Sequence, residues 1–224
     1  MYNAVFISDV HLGTTKNAKE LLKFLETIET KKLFLVGDMI SFVVYKPSKE
    51  LDEFFNIIKN GKWEFIYLIG NHEKENLNLQ SSLAKYYKDI KLQDRYIYKY
   101  KNRTILIEHG DSFHYKDFIN RAIKKVMLKS KIKLYKQNKT NYPKYRGIYY
   151  KVKPIIKFIL YKPYIKYMTK QAKKYGCNTV ICGHLHQPEI KKISNISYIN
   201  CGDWIKNRSY VVLKSSGELE LLNF

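Results

Sequence analysis

The sequence predicts an α/β fold, a mixed or doubled sheet flanked by helices and interrupted by one helical insertion. Three observations carry this. Short apolar runs rich in Val, Ile, Leu and Phe recur along the chain and end in Gly, Asp, Asn or His. Amphipathic helical stretches separate the first of these runs. Between Phe113 and about Ala172 the strand pattern disappears altogether.

The first run is Ala4 to Ile7, which leads into Ser8-Asp9-Val10-His11-Leu12-Gly13. Side chains alternate in extended backbone, so Asp9 and His11 leave the strand end on the same side. Leu33 to Val36 likewise runs into Gly37-Asp38, Phe65 to Ile69 into Gly70-Asn71-His72, Thr104 to Glu108 into His109-Gly110-Asp111, and Thr179 to Cys182 into Gly183-His184-Leu185-His186. Buried parallel strands have this composition, and their carboxyl ends form the crevice where ligands bind. The chain has six histidines, and five of them (His11, His72, His109, His184, His186) fall in these segments.

Between the first two strands, Lys16 to Glu29 places Leu21, Leu22, Phe24, Leu25 and Ile28 at helical spacing, with Thr14 or Thr15 as N-cap. Pro47-Ser48 opens a second helix with an apolar stripe of Leu51, Phe54, Phe55 and Ile58, closed by Asn60-Gly61. Leu83 to Tyr87 reads as a short helix, and Tyr96 to Tyr100 with Thr104 to Glu108 as a hairpin about Asn102-Arg103. Helical segments at Phe118 to Leu128 and Ile155 to Met168, separated by the polar Gln137 to Arg146, fill the insertion. Past Pro188, Ile196 to Asn200, Tyr210 to Leu213 and Glu218 to Leu222 are closely spaced, which suits antiparallel pairing and a mixed or doubled sheet. The expected organisation is a core of residues 1–112 and 173–224 and a basic, Tyr-rich helical insertion at 113–172.

At 224 residues and 45% hydrophobic, the chain can bury one α/β core with a sizeable insertion. No run of eighteen uncharged apolar residues occurs, and the first ten residues read as a core strand rather than a leader, so a cytoplasmic protein is expected. Cys177, Cys182 and Cys201 are too few and too uneven for a disulfide framework; Cys182 and Cys201 fit as small buried hydrophobes. The net charge of +21 is localised. Tyr115 to Tyr175 holds 19 Lys or Arg against one acid, Asp117, which leaves 22 basic and 19 acidic residues elsewhere.

Asp, His and Asn at five strand ends, with no cysteine among them, form a donor set suited to hard and borderline divalent cations. Seven such residues suffice for two cations, which together can generate hydroxide at neutral pH and clamp a phosphoryl group. In order and rough spacing, Asp9-Val10-His11, Gly37-Asp38, Gly70-Asn71-His72-Glu73, His109-Gly110-Asp111 and Gly183-His184-Leu185-His186 resemble the five motifs of the calcineurin-like metallophosphoesterases. The resemblance implies the metallophosphoesterase sandwich and two divalent ions, manganese first, with iron, zinc or magnesium as alternatives. It makes Asp9, His11, Asp38 and His186 ligands of one ion, with Asp38 bridging, and Asn71, His109 and His184 ligands of the other. His72 then becomes the catalytic histidine outside the ligand set, stabilising phosphoryl oxygens or protonating the leaving group. Asp111 stays outside that set, His114 is either structural or substrate-binding, and Trp204 is either core or a substrate contact.

Within the family, His109-Gly110-Asp111, the helical insertion, Gly183-His184-Leu185-His186 and Asn200-Cys201-Gly202-Asp203-Trp204 look like the UDP-2,3-diacylglucosamine diphosphatase group, which hydrolyses a lipid-linked pyrophosphate in lipid A assembly. Many of that group carry Asn-Arg-Asp where this chain has Asn71-His72-Glu73. Residues 115 to 175 add ten tyrosines to their 19 basic residues. One reading is a cap that takes an acyl chain while its basic face rests on anionic lipid at the inner face of the membrane. Another is a surface for single-stranded nucleic acid, making the protein a phosphodiesterase or nuclease. A catalytically weak basic peripheral binding protein is the third.

Overall fold

The computed structural model describes residues 1–13, 16–41, 49–74, 83, 91–113 and 160–224. His114, Thr14, Thr15 and the expected helix at Phe118 to Leu128 lie outside these residues, as does all but the first residue of Leu83 to Tyr87. The described chain packs as two compact units, residues 1–111 with 168–224, and residues 112–167.

In the larger unit, strands β1 (Ala4–Ile7), β2 (Lys32–Val36) and β3 (Glu64–Leu68) alternate with helices α1 (Ala18–Thr27) and α2 (Lys49–Asn60). These strands pair in parallel, Val5 against Leu33 and Leu33 against Phe65. The one-turn α3 (Asn71–Lys74) comes after β3, and the short β4 (Leu92–Gln93) pairs beside β3. A hairpin of β5 (Arg95–Tyr100) and β6 (Arg103–Glu108) begins the second sheet, in which β6, β7 (Thr179–Cys182) and β9 (Ile196–Asn200) are parallel. Strand β8 (Glu189–Ile193) closes that sheet's edge antiparallel to β9, while β10 (Ser209–Leu213) and β11 (Leu219–Asn223) return to the first sheet beside β1. The strand orders are β11-β10-β1-β2-β3-β4 and β5-β6-β7-β9-β8, two mixed sheets.

Period-two alternation divides the core. Val5, Ile7, Leu33 and Leu35 face the helices, joining Leu21, Phe24, Leu25, Phe54 and Ile58. Their neighbours Ala4, Phe6, Phe34 and Val36 point the other way, into a second cluster with Ile105, Ile107, Ile181 and Ile199 of the other sheet. Every inward residue thus removes apolar surface from water on one of two faces, which is why the central strands carry no polar alternation. Trp204 is fully buried against Phe24, at 4.9 Å between rings, so it belongs to the core.

The N-cap position of α1 is Asn17, two residues beyond the expected Thr15. Its side chain makes no capping bond and instead donates to the carbonyls of Trp204 and Ile205, both at 2.9 Å. A cap would use the amide oxygen as acceptor from extended backbone, whereas Asn17 has φ −100° and ψ 25° and its amide nitrogen is committed to the 204–205 loop. Helix α2 has Glu50 and Asp52 in its first turn and Lys59 in its last, the order that its dipole favours. Residues 160–174 are helical, and in the smaller unit Phe113 packs its ring against Tyr164 and Tyr167. Strand β8 has no counterpart among the expected strands, since Glu189, Lys191 and Lys192 leave it no apolar alternation; antiparallel backbone pairing to β9 places it at the edge.

Candidate metal centre

Backbone hydrogen bonds continue past the ends of β1 and β2: Asp9 N–H donates to Gly37 O at 3.1 Å and His11 N–H to Asp38 O at 3.0 Å. They draw the two segments side by side, so that both deliver their polar residues to one place. The backbone there is unusual. Asp9, His11, Asp38, His184 and His186 all have φ between 52° and 67°, the left-handed region that costs a non-glycine residue about 1–3 kcal/mol. Buried hydrogen bonds to their side chains and backbone hold them in it.

Each of the two aspartates divides its oxygens between backbone and site. Asp9 Oδ2 accepts from the Ser8 hydroxyl and from His184 N–H at 2.8 Å, while Oδ1 faces His186 Nε2 at 3.2 Å. Asp38 Oδ1 accepts from His72 N–H at 2.8 Å, while Oδ2 faces His109 Nε2 at 3.3 Å and the Nε2 atoms of His11 and His72 at 3.9 Å. One oxygen anchors the side chain and the other is offered to the site. His109 comes from the second sheet and reaches the first: its Nδ1 lies 2.9 Å from Val36 O, a partner that can only accept, so Nδ1 carries the proton and Nε2 is turned toward Asp38. A β-carbon on Gly37 would sit 2.5 Å from this ring, so the close approach requires glycine there. His184 Nδ1 is 3.0 Å from Asn71 Oδ1, which brings the third motif's amide to the fifth motif's imidazole.

The ligand-bearing atoms fall into three overlapping groups, each within 4.8 Å: Asp9, His11 and His186; His11, Asp38 and His72; and Asp38, His109 and His184. Asp38 and His11 are each common to two of them. All seven expected ligands and His72 are therefore gathered at the strand ends. Asp111 is in none of these groups and is ion-paired with Lys74 at 2.8 Å.

Burial sets the electrostatics. It lowers His11 to about 4 against the pull of Asp9 and Asp38, and lowers His184 to about 4 with help from the neighbouring His109. Burial would also lower His109, but the charges of Asp38 and Asp9 outweigh it and raise this imidazole to about 10. Burial alone would raise Asp38; the charge and hydrogen bond of His109 hold it well below the usual carboxylate range. Asp9 Oδ1 is buried and accepts no hydrogen bond from the described residues. A fully buried carboxylate oxygen left in that condition, with nitrogen lone pairs around it and no sulfur, fits a divalent cation.

Two residues without an assigned role complete the centre. Ser8 orients Asp9, and Gly183 permits it, because a β-carbon there would lie 1.8 Å from Ser8 Oγ. Glu73, fully buried, accepts from the backbone N–H of Asp38 (2.8 Å), Met39 (2.7 Å), Ile40 (3.2 Å) and Gly70 (2.9 Å) and from the Tyr67 hydroxyl (3.0 Å). Its place directly after His72 was the available signal, an acid in a turn where nothing apolar explains it.

A buried cluster of carboxylates, imidazoles and an amide, reached from the carboxyl ends of parallel strands in two stacked sheets, is equipped for hard divalent cations acting on a phosphorus–oxygen bond, and the fold is that of the metal-dependent phosphoesterases. The chain belongs to the calcineurin-like phosphoesterase family, whose model it matches over residues 2–188. It is 26% identical to a protein of Wigglesworthia glossinidia brevipalpis called UDP-2,3-diacylglucosamine hydrolase, over 99% of this chain and 94% of that one. A protein of the same name from Haemophilus influenzae (strain PittGG) is 22% identical, over 97% and 98%. Among solved structures, an archaeal phosphodiesterase shares the fold with a TM-score of 0.51 at 15% identity over 99% of both chains, and the Escherichia coli phosphoesterase Yfce with 0.51 at 14% over 98% and 97%.

Proposed function

We propose that this phosphoesterase cleaves the pyrophosphate of a lipid-linked nucleotide sugar resembling UDP-2,3-diacylglucosamine. The observation that carries the reading is the likeness, over nearly the whole of each chain, to two proteins named for hydrolysis of that compound. The basic, Tyr-rich composition of residues 115–175 supports it, since an acylated substrate lies at an anionic lipid surface.

Asp9, His11, Asp38 and His186 would hold one divalent cation, and Asn71, His109 and His184 the other, with Asp38 shared. Manganese is the first expectation. Bound there, the two cations would polarise the phosphoryl group and activate water at neutral pH. The protein's own part is placement: Ser8 and His184 N–H hold Asp9 to one oxygen, His72 N–H does the same for Asp38, and Val36 O fixes the tautomer of His109. Water adds to phosphorus as the bridging P–O bond breaks, the departing phosphate takes a proton from His72, and the proton that the water gives up restores that imidazole through solvent, so two phosphomonoesters result.

The test is a substrate panel with manganese: a lipid-linked nucleotide diphosphate, simple phosphomonoesters, phosphodiesters and single-stranded nucleic acid. Preference for the first is expected. Preference for nucleic acid would replace this reading with a nuclease.

A further inference from the structure

The segment Asn200-Cys201-Gly202-Asp203-Trp204 lies outside the strand-end motifs, yet it touches three of their residues. Asn200, fully buried at the end of β9, donates Nδ2 to Gly183 O at 2.7 Å, the carbonyl just before His184. The backbone N–H of Trp204 donates to Asp9 O at 3.2 Å. Between them Asp203, 2% exposed, sets its Oδ2 3.9 Å from His186 Nδ1, the ring whose Nε2 faces Asp9 Oδ1 at 3.2 Å.

Asp203 has two separable attachments. Oδ1 accepts from the N–H groups of Ile205 (2.8 Å), Lys206 (2.6 Å) and Asn207 (3.4 Å), an ordinary turn cap. Oδ2 accepts from Asn207 Nδ2 at 2.6 Å and lies behind the His186 ring at an ion-pair separation of 3.9 Å from Nδ1. A cap needs only the first oxygen. His186 also has more need of a support than its neighbours, with 31% of its side chain exposed against 6% for His11 and none for His109.

We infer that Asp203 is a positioning residue for His186: its negative charge behind the ring favours the proton on Nδ1 and so leaves the Nε2 lone pair for the cation that His186 and Asp9 would share. A carboxylate behind an imidazole ligand fixes the ring's tautomer and makes the far nitrogen a better donor. The inference rests on the two-cation reading, and its test separates the two.

Asp203→Asn keeps Oδ1 for the cap, and Asn207 can turn its own amide over to suit the new one, so the turn survives while the negative oxygen behind His186 is lost. Full-length protein, native and variant, is stripped with chelator, titrated with Mn²⁺ in a calorimeter and melted without metal. The native chain should take up two ions. The variant should bind one of them unchanged and the other about 10–100-fold more weakly, with the metal-free melting temperature preserved. Native-like affinity for both ions, or equal weakening of both together with a lower melting temperature, would reduce Asp203 to a turn cap. The second arm needs no metal: ¹⁵N NMR of His186 in the stripped proteins should show a larger share of the proton on Nδ1 in native than in Asp203→Asn, against the pull of Asp9 on Nε2, and an equal share in both overturns the inference. If native protein takes up no Mn²⁺ while the share of the proton on Nδ1 still falls in the variant, the two-cation reading fails and the positioning role of Asp203 stands.

Discussion

The carboxylate of Glu73 receives the backbone N–H of Asp38 at 2.8 Å, so the acid after the third motif's histidine holds the second motif's aspartate in its left-handed conformation. All five groups bonded to Glu73 approach as donors, and both oxygens must therefore accept. An amide cannot do this. In Glu73→Gln, whichever way the amide turns, two backbone N–H groups meet an NH₂. Each buried group left unsatisfied costs about 1–3 kcal/mol, so a loss of about 2–6 kcal/mol is expected in urea unfolding of the chelated protein. A variant as stable as native would show that Glu73 is not the anchor of that loop.

Asp38→Ala should abolish hydrolysis and reduce bound metal, because Asp38 Oδ2 is the oxygen common to His11, His72 and His109. Without it two neighbouring cations would face each other unshielded. Metal content by mass spectrometry and turnover on a generic phosphodiester check this together; full activity in the variant, or after exhaustive chelation, sinks the two-metal assignment.

His72→Ala should keep its metal and lose turnover by about 10²–10⁴. Its Nε2 lies at the same 3.9 Å from Asp38 as that of His11, and the metal analysis separates an acid–base role from a ligand. Metal lost in step with activity would make His72 a ligand.

Metal uptake should release a proton, chiefly from His109. Its metal-free value of about 10 lies above the ordinary imidazole range, so it is protonated near pH 8, whereas His11 and His184, near 4, are already neutral. Affinity for Mn²⁺ should then rise about tenfold per pH unit as long as His109 stays protonated. Stability of the chelated protein has the opposite trend. The proton on His109 stabilises the fold fully below the unfolded value of about 6.5, and that contribution is lost as pH rises through about 10. Calorimetry in buffers of different ionisation enthalpy reads the proton directly, and heats independent of buffer would refute it.

Vesicles containing anionic lipid should bind the protein through residues 115–175, and salt should weaken the binding. Within the helical residues 160–174, Lys162, Lys166 and Lys170 are exposed at four-residue spacing, which places them on one face. Each contributes roughly 1 kcal/mol near an anionic surface. Co-sedimentation with neutral and anionic vesicles, with single-stranded DNA as competitor, measures it; indifference to lipid together with retention of DNA at physiological salt would favour the nuclease.

The site could be read so far into the sequence because each apolar run is followed directly by its polar residues, although Asp9, His11, His184 and His186 stand beyond the strands in left-handed backbone, so the expected period-two alternation does not extend to them. Asp9 and His11, or His184 and His186, are close by covalent connection, and five such ends could be recognised one at a time. The apolar stripes of α1 and α2 were legible for the same reason, since 3.6-residue spacing is local. Cys182 and Cys201 are indeed fully buried, as their apolar neighbours implied.

Contacts between distant segments decided the rest. That β1, β2 and β3 belong to one sheet and β6 and β7 to another is set by pairing partners that no single strand specifies. Val36 O holding His109, Glu73 closing on residues 38–40 and Asp203 reaching His186 join residues 73, 33 to 35 and 17 positions apart, and none can be deduced from local periodicity. Asn17 could be a cap by its residue type, yet its side chain makes no capping bond and its amide donates instead to the Trp204 and Ile205 carbonyls, delivered from the far end of the chain. Local backbone geometry determined which residues stand at the strand ends; burial and the hydrogen bonds that burial demands determined which atom of each is turned into the site.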